Sequence, residues 1–239
     1  MEWRDAGLVL AARPHGETAV ILELLTRDHG RHLGVVHGGA SRRKAPMLQP
    51  GNQLDAVWKA RLDSHLGTWS VELRSSRAAA ILGDPLRLAA LTAVTSLAAF
   101  ALPERDPHPT FADRTETLCD AIASGEGWLP DYVAWELALL DISGFGLDIS
   151  SCAATGKTED LAYVSPRTGR AVSRAGAGEW ASRLLPLPEM LLGRPADLPG
   201  IQASLDLTGH FLHQSLAPSL GEDPIPPARE RFLDELRRV

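Results

Sequence analysis

Apolar residues in the first 75 positions fall into short runs separated by turn-forming residues. Runs of this length, rich in Val, Ile, Leu and Trp and broken by Gly, Asp and Asn, indicate β-strands. The last two runs alternate between apolar and polar positions with a period of two. Five strands are therefore predicted, at 7–12, 18–26, 32–37, 53–60 and 68–73. Five strands in so short a segment are typical of a small barrel.

The pattern changes at Asp84, after which good helix formers dominate. Asp84 is a suitable N-cap and Pro85 a suitable first residue for a helix that runs towards Pro103. This helix is apolar on nearly all sides, which places it inside a helical bundle rather than in a membrane. Further helices are predicted at 109–124, 130–142, 201–216 and 227–238.

The stretch at about 147–176 is rich in Gly, Ser and Thr and contains only strand-like fragments. Loops of this length without structure of their own are uncommon in compact domains. Leu161, Tyr163 and Val164 can anchor the stretch, so we expect a small irregular insertion rather than a mobile segment. The predicted fold class is α+β, with a barrel domain at 1–80 and a mainly helical domain at 81–239.

Charge is distributed unevenly along the 239 residues. Residues 1–80 contain 11 Lys and Arg against 8 Asp and Glu, a net charge of +3, whereas residues 81–239 contain 13 against 22, a net charge of −9. An isoelectric point near 5.7 argues against indiscriminate binding to nucleic acid. Binding to nucleic acid would therefore have to use a local basic face. The alternative is that the charge asymmetry is due to chance.

The densest basic run lies in GGASRRKAPMLQPG at 38–51, where three cations are adjacent. Glycines before them let the backbone approach a phosphate, and prolines after them restrict the loop. The run is either a solvated surface segment or a phosphate-binding loop. With the cations on predicted turns and strand faces, the candidate nucleic-acid-binding residues are Arg27, Arg31, Arg42, Arg43, Lys44, Lys59, Arg61 and Arg74.

Two tryptophans lie beside cations on the last two predicted strands. Flat side chains next to cations are typical of surfaces that bind single strands by base stacking. Trp58 is a candidate base-stacking residue on this ground, and Trp69 a weaker one. The alternative is that both fill the barrel interior, since a small barrel also needs large core residues.

Other motifs do not support catalysis or metal binding. GKT at 156–158 would need a glycine at position 151 to form a phosphate loop, and that residue is Ser151. Cys152 lacks neighbouring zinc ligands, and His210 with His213 lacks a third ligand. The residues show no hydrolase motif, so an enzyme is not expected. The charged start MEWRDAG and the absence of a long apolar stretch predict a cytoplasmic protein.

Several motifs resemble, in their order and spacing, those of the RecO family of bacterial recombination mediators. They are G-x-V-L at 7–10, G-E-T at 16–18, T-x-x-H-G-R at 26–31 and G-G-A-S-R-R from Gly38. The segment LAYVSPRTGRAVS, together with CAATG before it, resembles the alphaproteobacterial branch of that family. The resemblance covers nearly the whole chain.

The resemblance implies an OB-fold barrel that binds single- and double-stranded DNA, followed by a helical domain. It implies a non-enzymatic protein that anneals complementary strands and, with RecR and often RecF, loads RecA onto DNA coated with single-strand-binding protein. The C-terminal tail of that protein is an implied partner, and the bacterial nucleoid an implied location. Arg27, Arg31, Arg42, Arg43 and Lys44 match the family's basic positions, whereas the other three cations rest on the strand prediction alone.

The sequence departs from the family in the irregular insertion, where many members carry two C-x-x-C pairs. Cys152 keeps one position and Thr155 replaces its partner, while the second pair would fall at about 173–176, where no cysteine occurs. We therefore expect a degenerate zinc-finger-like insertion without zinc or another cofactor. Two functions remain as alternatives: an OB-fold RNA-binding protein and an adaptor that binds only proteins.

Overall fold

The computed structural model describes residues 1–62, 65–221 and 224–239. Five strands form in the first third of the chain, and each predicted strand overlaps one of them. They are β1 (Glu2–His15), β2 (Ala19–Thr26), β3 (Gly30–Val36), β4 (Gln53–Lys59) and β5 (Thr68–Ser75). The first strand is longer than predicted at both ends, because its polar start pairs with β4 and its polar end pairs with β2.

The five strands close into a barrel in the order β1-β2-β3-β5-β4. Neighbouring strands are antiparallel except β3 and β5, which are parallel and pair at Val35 and Thr68. The interior contains Leu22, Leu24 and Leu54, each without exposed surface. A closed five-stranded barrel of this kind is the OB fold, so the α+β prediction with an N-terminal OB barrel is confirmed.

The remaining chain is mainly helical, as predicted. Its helices are α1 (Arg77–Ala80), α2 (Pro85–Ala101), α3 (Pro109–Ser124), α4 (Trp128–Ile142), α5 (Arg174–Ala177), α6 (Leu198–Phe211), α7 (Ala217–Ser219) and α8 (Ala228–Leu236). The predicted N-cap of α2 is confirmed, because the Asp84 carboxylate accepts a hydrogen bond from the Arg87 backbone N–H at 3.0 Å. This bond and the Arg87 guanidinium lower the pKa of Asp84. None of the described helices is long and apolar enough to cross a membrane.

The chain forms two compact units, and the first comprises residues 1–126 and 226–239. Within it, α2 packs against α8 and against β1. A buried arginine, Arg77, joins the barrel to α3: its Nε donates to Asp120 at 2.6 Å, and its Nη1 donates to the Gln53 side chain at 3.1 Å. Losing it would remove the buried hydrogen bonds to the Gln53 side chain and the Gly51 carbonyl.

The second compact unit comprises residues 127–225. In it α4 packs on α6, and the Thr208 hydroxyl donates to the buried Glu136 carboxylate at 2.5 Å. The helix predicted at 201–216 is α6 followed by a π-helical turn at Leu212–Leu216. A three-stranded antiparallel sheet in the order β7-β6-β8 lies largely within the predicted insertion. Its strands are β6 (Leu161–Val164), β7 (Ala171–Ser173) and β8 (Leu185–Pro186).

Candidate nucleic-acid interface

Residues 37–44 follow β3 directly, and we call them the basic loop. The backbone of this loop is held in place by the rest of the barrel. The Ala40 N–H donates to the Thr18 carbonyl at 3.0 Å, and the Lys44 ammonium donates to the His37 carbonyl at 2.8 Å. The loop is therefore ordered before any ligand binds, which lowers the entropic cost of binding.

The two glycines of the basic loop are each required by its geometry. Gly38 has a φ of +66°, in the left-handed region that favours glycine. A Cβ at Gly39 would lie 2.9 Å from the Cβ of Val20, so a larger residue would push the loop off β2. The G-G pair brings the loop close to the barrel and presents the cations that follow it.

Arg42 and Arg43 lie at the exposed part of the basic loop. Neither forms an ion pair with a carboxylate in the part of the chain that the structure describes. Unpaired guanidinium groups carry their full charge and their hydrogen-bond donors to a phosphate. They are therefore the two predicted residues best placed to bind an anion.

The tip of the β1–β2 hairpin lies beside the basic loop, since Thr18 accepts the hydrogen bond from the loop backbone. It carries the exposed His15 and Arg13, whose side chain is 71% exposed and whose Nη2 lies 3.8 Å from the buried Glu23 carboxylate. Sequence analysis missed Arg13 because the predicted strand ended at residue 12. The run of polar residues after that strand could have indicated a longer hairpin.

The predicted cations Arg27 and Arg31 lie at the opposite end of β3 and make internal ion pairs. Arg27 Nε is 3.2 Å from Asp113 on α3, and that carboxylate raises the arginine pKa. Arg31 Nη1 is 2.5 Å from the carboxylate of Glu23, which is only 3% exposed. Arg31 is therefore held by a buried carboxylate, whereas the Arg27–Asp113 pair is exposed on both sides and screened by water.

The last three predicted cations differ in their surroundings. Lys59 forms an exposed ion pair with Glu2 at 3.0 Å. Arg61 and Arg74 are exposed and have no ion-pair partner among the described residues.

Arg61 follows Ala60 in the β4–β5 connection, and Ala60 exchanges backbone hydrogen bonds with Met1. Trp3, close to Met1, stacks on His29 of the β2–β3 turn, so Arg61 lies at that end of the barrel and away from the basic loop. Arg74 lies near the end of β5, and Ser76 just after it lines a cavity together with Arg42.

Trp58 has no exposed surface and belongs to the barrel core. Its Nε1 donates to the carbonyls of Leu33 and Leu66, both at 3.2 Å. Trp69 is also buried. Of the two alternatives left by the sequence, core packing describes both residues, and stacking of a base on Trp58 would require the barrel to open.

Trp3 joins these tryptophans in an aromatic cluster that the sequence did not indicate. Its ring stacks on His29 with the ring centroids 3.7 Å apart, and it makes edge contacts with Trp69 and His32. Edge and stacked contacts between aromatic rings stabilise a core beyond the area that they bury. The cluster makes this part of the barrel a rigid support for the exposed loops.

The insertion in the second unit is organised around the Cys152 sulfur. The Ser173 N–H and hydroxyl both lie within hydrogen-bond distance of it, at 3.2 and 3.3 Å. These bonds lower the pKa of the thiol to about 6. A Cβ at Gly176 would lie 2.8 Å from the same sulfur, so Ser173 and Gly176 both lie close to Cys152. Among the described residues, no group of three His, Cys, Asp or Glu could hold a metal ion.

The barrel and the helices together define an OB-fold protein with a second, helical unit. Two family models match the chain: the Recombination protein O N-terminal model over residues 1–77, which contain the barrel, and the Recombination protein O C-terminal model over residues 82–224. The chain therefore belongs to the RecO family, whose members act in DNA repair and recombination.

Individual relatives support the same assignment. The chain is 60% identical over 239 residues to the DNA repair protein RecO of Dinoroseobacter shibae, covering 100% of this chain and 99% of that protein. It is 55% identical over 238 residues to the DNA repair protein RecO of a Jannaschia species, covering 100% and 97%. The corresponding protein of Paracoccus denitrificans is 54% identical over 236 residues, covering 99% and 96%.

Proposed function

We propose that this protein is a recombination mediator that binds single- and double-stranded DNA through the basic-loop end of its barrel. It would anneal complementary strands and, with RecR and RecF, help to load RecA onto DNA coated with single-strand-binding protein. The observation that carries the proposal is the pair Arg42 and Arg43, which are exposed and unpaired on an ordered loop of an OB barrel. Membership of the RecO family supports the same function.

The proposed mechanism is electrostatic and involves no bond making or breaking. Guanidinium and ammonium groups of the basic loop neutralise phosphates on two strands at once and release their counterions. Neutralised strands repel each other less, so their bases can pair. The buried tryptophans leave the bases free of the protein, which suits annealing because paired bases need their own faces and edges.

The eight predicted DNA-binding residues do not contribute equally to the proposed interface. Arg42, Arg43 and Lys44 form its centre, and Arg74 extends it, because Ser76, two residues further on, lines the same cavity as Arg42. Arg13 adds a cation from the neighbouring hairpin. The remaining predicted cations, Arg27, Arg31, Lys59 and Arg61, are either paired internally or lie away from the loop, so they would contribute only to the general field around the barrel.

The protein partners are proposed to meet the chain away from this interface. The helical part carries most of the negative charge, which disfavours contact with DNA. RecR, RecF and the C-terminal tail of single-strand-binding protein are the proposed partners, and RecA is reached indirectly through them. The proposed location is the bacterial nucleoid, where these partners and DNA occur together.

The proposal is tested by fluorescence anisotropy of a labelled single-stranded DNA oligonucleotide over a range of salt concentrations. The test variant carries Arg42→Glu, Arg43→Glu and Lys44→Glu. A matched control carries Lys157→Glu, Arg167→Glu and Arg194→Glu, which makes the same change in net charge on exposed residues of the second unit. Circular dichroism must show that both variants are folded.

We expect the loop variant to lose most of its affinity and the control to lose little. The slope of log affinity against log salt should become shallower by about 2, since each single-strand phosphate contact contributes about 0.7. Equal losses of affinity in both variants would show that net charge, rather than the basic loop, determines DNA binding. Tighter binding to RNA of the same sequence would favour the RNA-binding alternative, and no binding at low salt would favour the adaptor.

A further inference from the structure

A cavity of about 700 Å³ opens in the first unit next to the basic loop. Its walls come from the turn after the loop, from α1 and from the first half of α2. Most of the side chains that line it are apolar, and Arg42 lies at its edge. The bulky apolar side chains of its lining are Leu82, Leu88 and Leu91, and Thr92 lines it as well.

Two leucines of this cavity are unusually exposed for their size. Leu82 is 72% exposed and Leu88 is 37% exposed, and both line the cavity. Exposed leucines around a concave apolar surface mark an interaction site more often than leucines scattered singly over a surface. The cavity therefore has the character of a docking surface rather than of a packing defect.

A second hollow, of about 480 Å³, continues the first along α2. The two hollows share Leu88 and Thr92, and the far wall of the second is α8. The residues of α2 that face it are Pro85, Leu88, Ala89 and Thr92, at positions i, i+3, i+4 and i+7. These residues therefore form one continuous face along α2, against which an elongated partner segment can lie. We call the combined surface the α2 groove.

The charges around the α2 groove are mostly positive. Its carboxylates are already neutralised: Asp234 pairs with Arg237 at 3.0 Å, and Glu235 pairs with Arg238 at 2.5 Å. Arg42 at one end and Arg231 at the other are exposed and have no ion-pair partner in the described part of the chain. An apolar groove with a free cation at each end is complementary to an apolar stripe flanked by acids.

We propose that the α2 groove binds an amphipathic helix of a partner protein, with bulky apolar side chains on one face and Asp or Glu along the edges of that face. The helix would lie along α2, with its apolar residues against Leu82 and Leu88 and its acids near Arg42 and Arg231. Nucleic acid is a poorer occupant, because the described residues that line the groove include no aromatic ring on which a base could stack.

The position of Arg42 links this groove to the proposed DNA interface. Arg42 lines the groove and also belongs to the basic loop. A bound acidic helix would therefore compete with DNA for Arg42 and weaken DNA binding. This consequence rests on the proposed function, whereas binding of the helix itself does not.

The test uses a fluorescein-labelled 18-residue peptide with Leu at i, i+3, i+4 and i+7 repeats and Glu at the flanking positions. One control peptide has the same composition in scrambled order, which removes the stripe. A second control peptide has Lys in place of every Glu. Binding to the full chain is followed by anisotropy, for wild type, Leu88→Asp and the control Leu192→Asp, which changes an exposed leucine of the second unit.

We expect the Glu peptide to bind wild type and Leu192→Asp alike, and to bind Leu88→Asp at least about tenfold more weakly, the effect of losing one buried leucine. Both control peptides should also bind at least about tenfold more weakly than the Glu peptide. Binding of the scrambled peptide as tightly as the Glu peptide would overturn the helix in favour of an extended acidic tail. Failure of the Glu peptide to bind wild type at low salt would overturn the proposal outright.

Two further measurements separate the other occupants. If Leu88→Asp converts a dimer to a monomer in sedimentation velocity, the occupant is a second copy of the chain. If Leu88→Asp weakens DNA binding as much as the basic-loop variant does, the occupant is nucleic acid. The proposal expects neither change, and it stands even if the basic loop fails to bind DNA.

Discussion

The two ends of β3 carry the same kind of side chain in opposite roles. At the start of β3, Arg31 is bound to the buried carboxylate of Glu23, and Arg27 on the preceding turn is bound to Asp113 of α3. At the end of β3, Arg42 and Arg43 are exposed on a loop fixed by glycine and backbone hydrogen bonds. The first pair stabilises the unit, and the second pair is available to a ligand.

The difference shows that a cation's role is set by the carboxylates within its reach. A hydrogen bond to a buried carboxylate commits a guanidinium to the fold, because breaking it would leave a buried charge unpaired. Cations on a loop without nearby carboxylates make no internal ion pair. The protein therefore loses little stability when these cations bind a ligand. Counting the cations of a segment therefore overestimates its binding surface.

The largest expected effect comes from breaking the internal pair. Arg31→Ala should lower the free energy of unfolding by about 3 kcal/mol, because Glu23 is then buried with only Arg13, at 3.8 Å, as a partner. Urea denaturation measures the loss. The double variant Glu23→Leu with Arg31→Met should recover most of it, since both charges are removed together. A loss below about 1 kcal/mol for the single variant would contradict a structural role for Arg31.

The free end should show the opposite behaviour. Arg42→Ala with Arg43→Ala should leave the free energy of unfolding within about 0.5 kcal/mol of wild type. Affinity for single-stranded DNA should fall about tenfold, or about 1.4 kcal/mol, because two phosphate contacts are lost. Anisotropy titration at fixed salt measures the change, with Arg167→Ala plus Arg194→Ala as the control. A stability loss comparable to that of Arg31→Ala would erase the contrast between the two ends.

A smaller effect is expected at the exposed ion pair of the β2–β3 hairpin. Arg27→Ala should cost much less stability than Arg31→Ala, because water and salt screen the Arg27–Asp113 pair. The difference from wild type should shrink further in 1 M NaCl, and affinity for DNA should not change. Thermal unfolding at two salt concentrations and the same anisotropy titration check both statements. A clear loss of DNA affinity would extend the interface to this end of the barrel.

The smallest expected effect is a gain. Glu2→Ala frees Lys59, which lies at the end of the barrel away from the basic loop and so acts on DNA only through the general field. Affinity for single-stranded DNA should rise about twofold, since one more cation becomes available and one repelling charge is lost. Glu179→Ala removes an exposed carboxylate from the second unit and serves as the control. Equal gains in both variants would point to net charge rather than to the release of Lys59.

The barrel could be predicted from the sequence because its strands carry their signal locally. Short apolar runs between turn residues located all five strands, and the N-cap of α2 was readable from Asp84 and Pro85. The ends of β1 were missed because residues 2–6 and 13–15 are strand only through pairing with β4 and β2. The parallel contact of β3 with β5 likewise depends on closure of the barrel, which no local pattern encodes.

The candidate site was predictable only where its residues are adjacent in the sequence. Adjacent cations between glycines and prolines identified the basic loop, because those residue types specify both charge and an exposed turn. The partner of Arg27 lies 86 residues away in the sequence, so its ion pair could not be inferred. Trp58 fills the core if its side chain points into the barrel, and it could stack on a base only if its side chain points outward. The sequence allows both orientations, and in the structure the ring points inward and lies directly against Gly67.

The packing of α2 against α8 affects the protein while it is being synthesised. Residues 127–225 are synthesised as an insertion between the two pieces of the first unit. Until the ribosome has delivered the last helix, the mostly apolar α2 lacks the neighbour that covers one of its sides. The nascent barrel unit is therefore incomplete for the whole time that the second unit is emerging, and a chain stopped before α8 would be a substrate for chaperones and proteases rather than a shorter working protein.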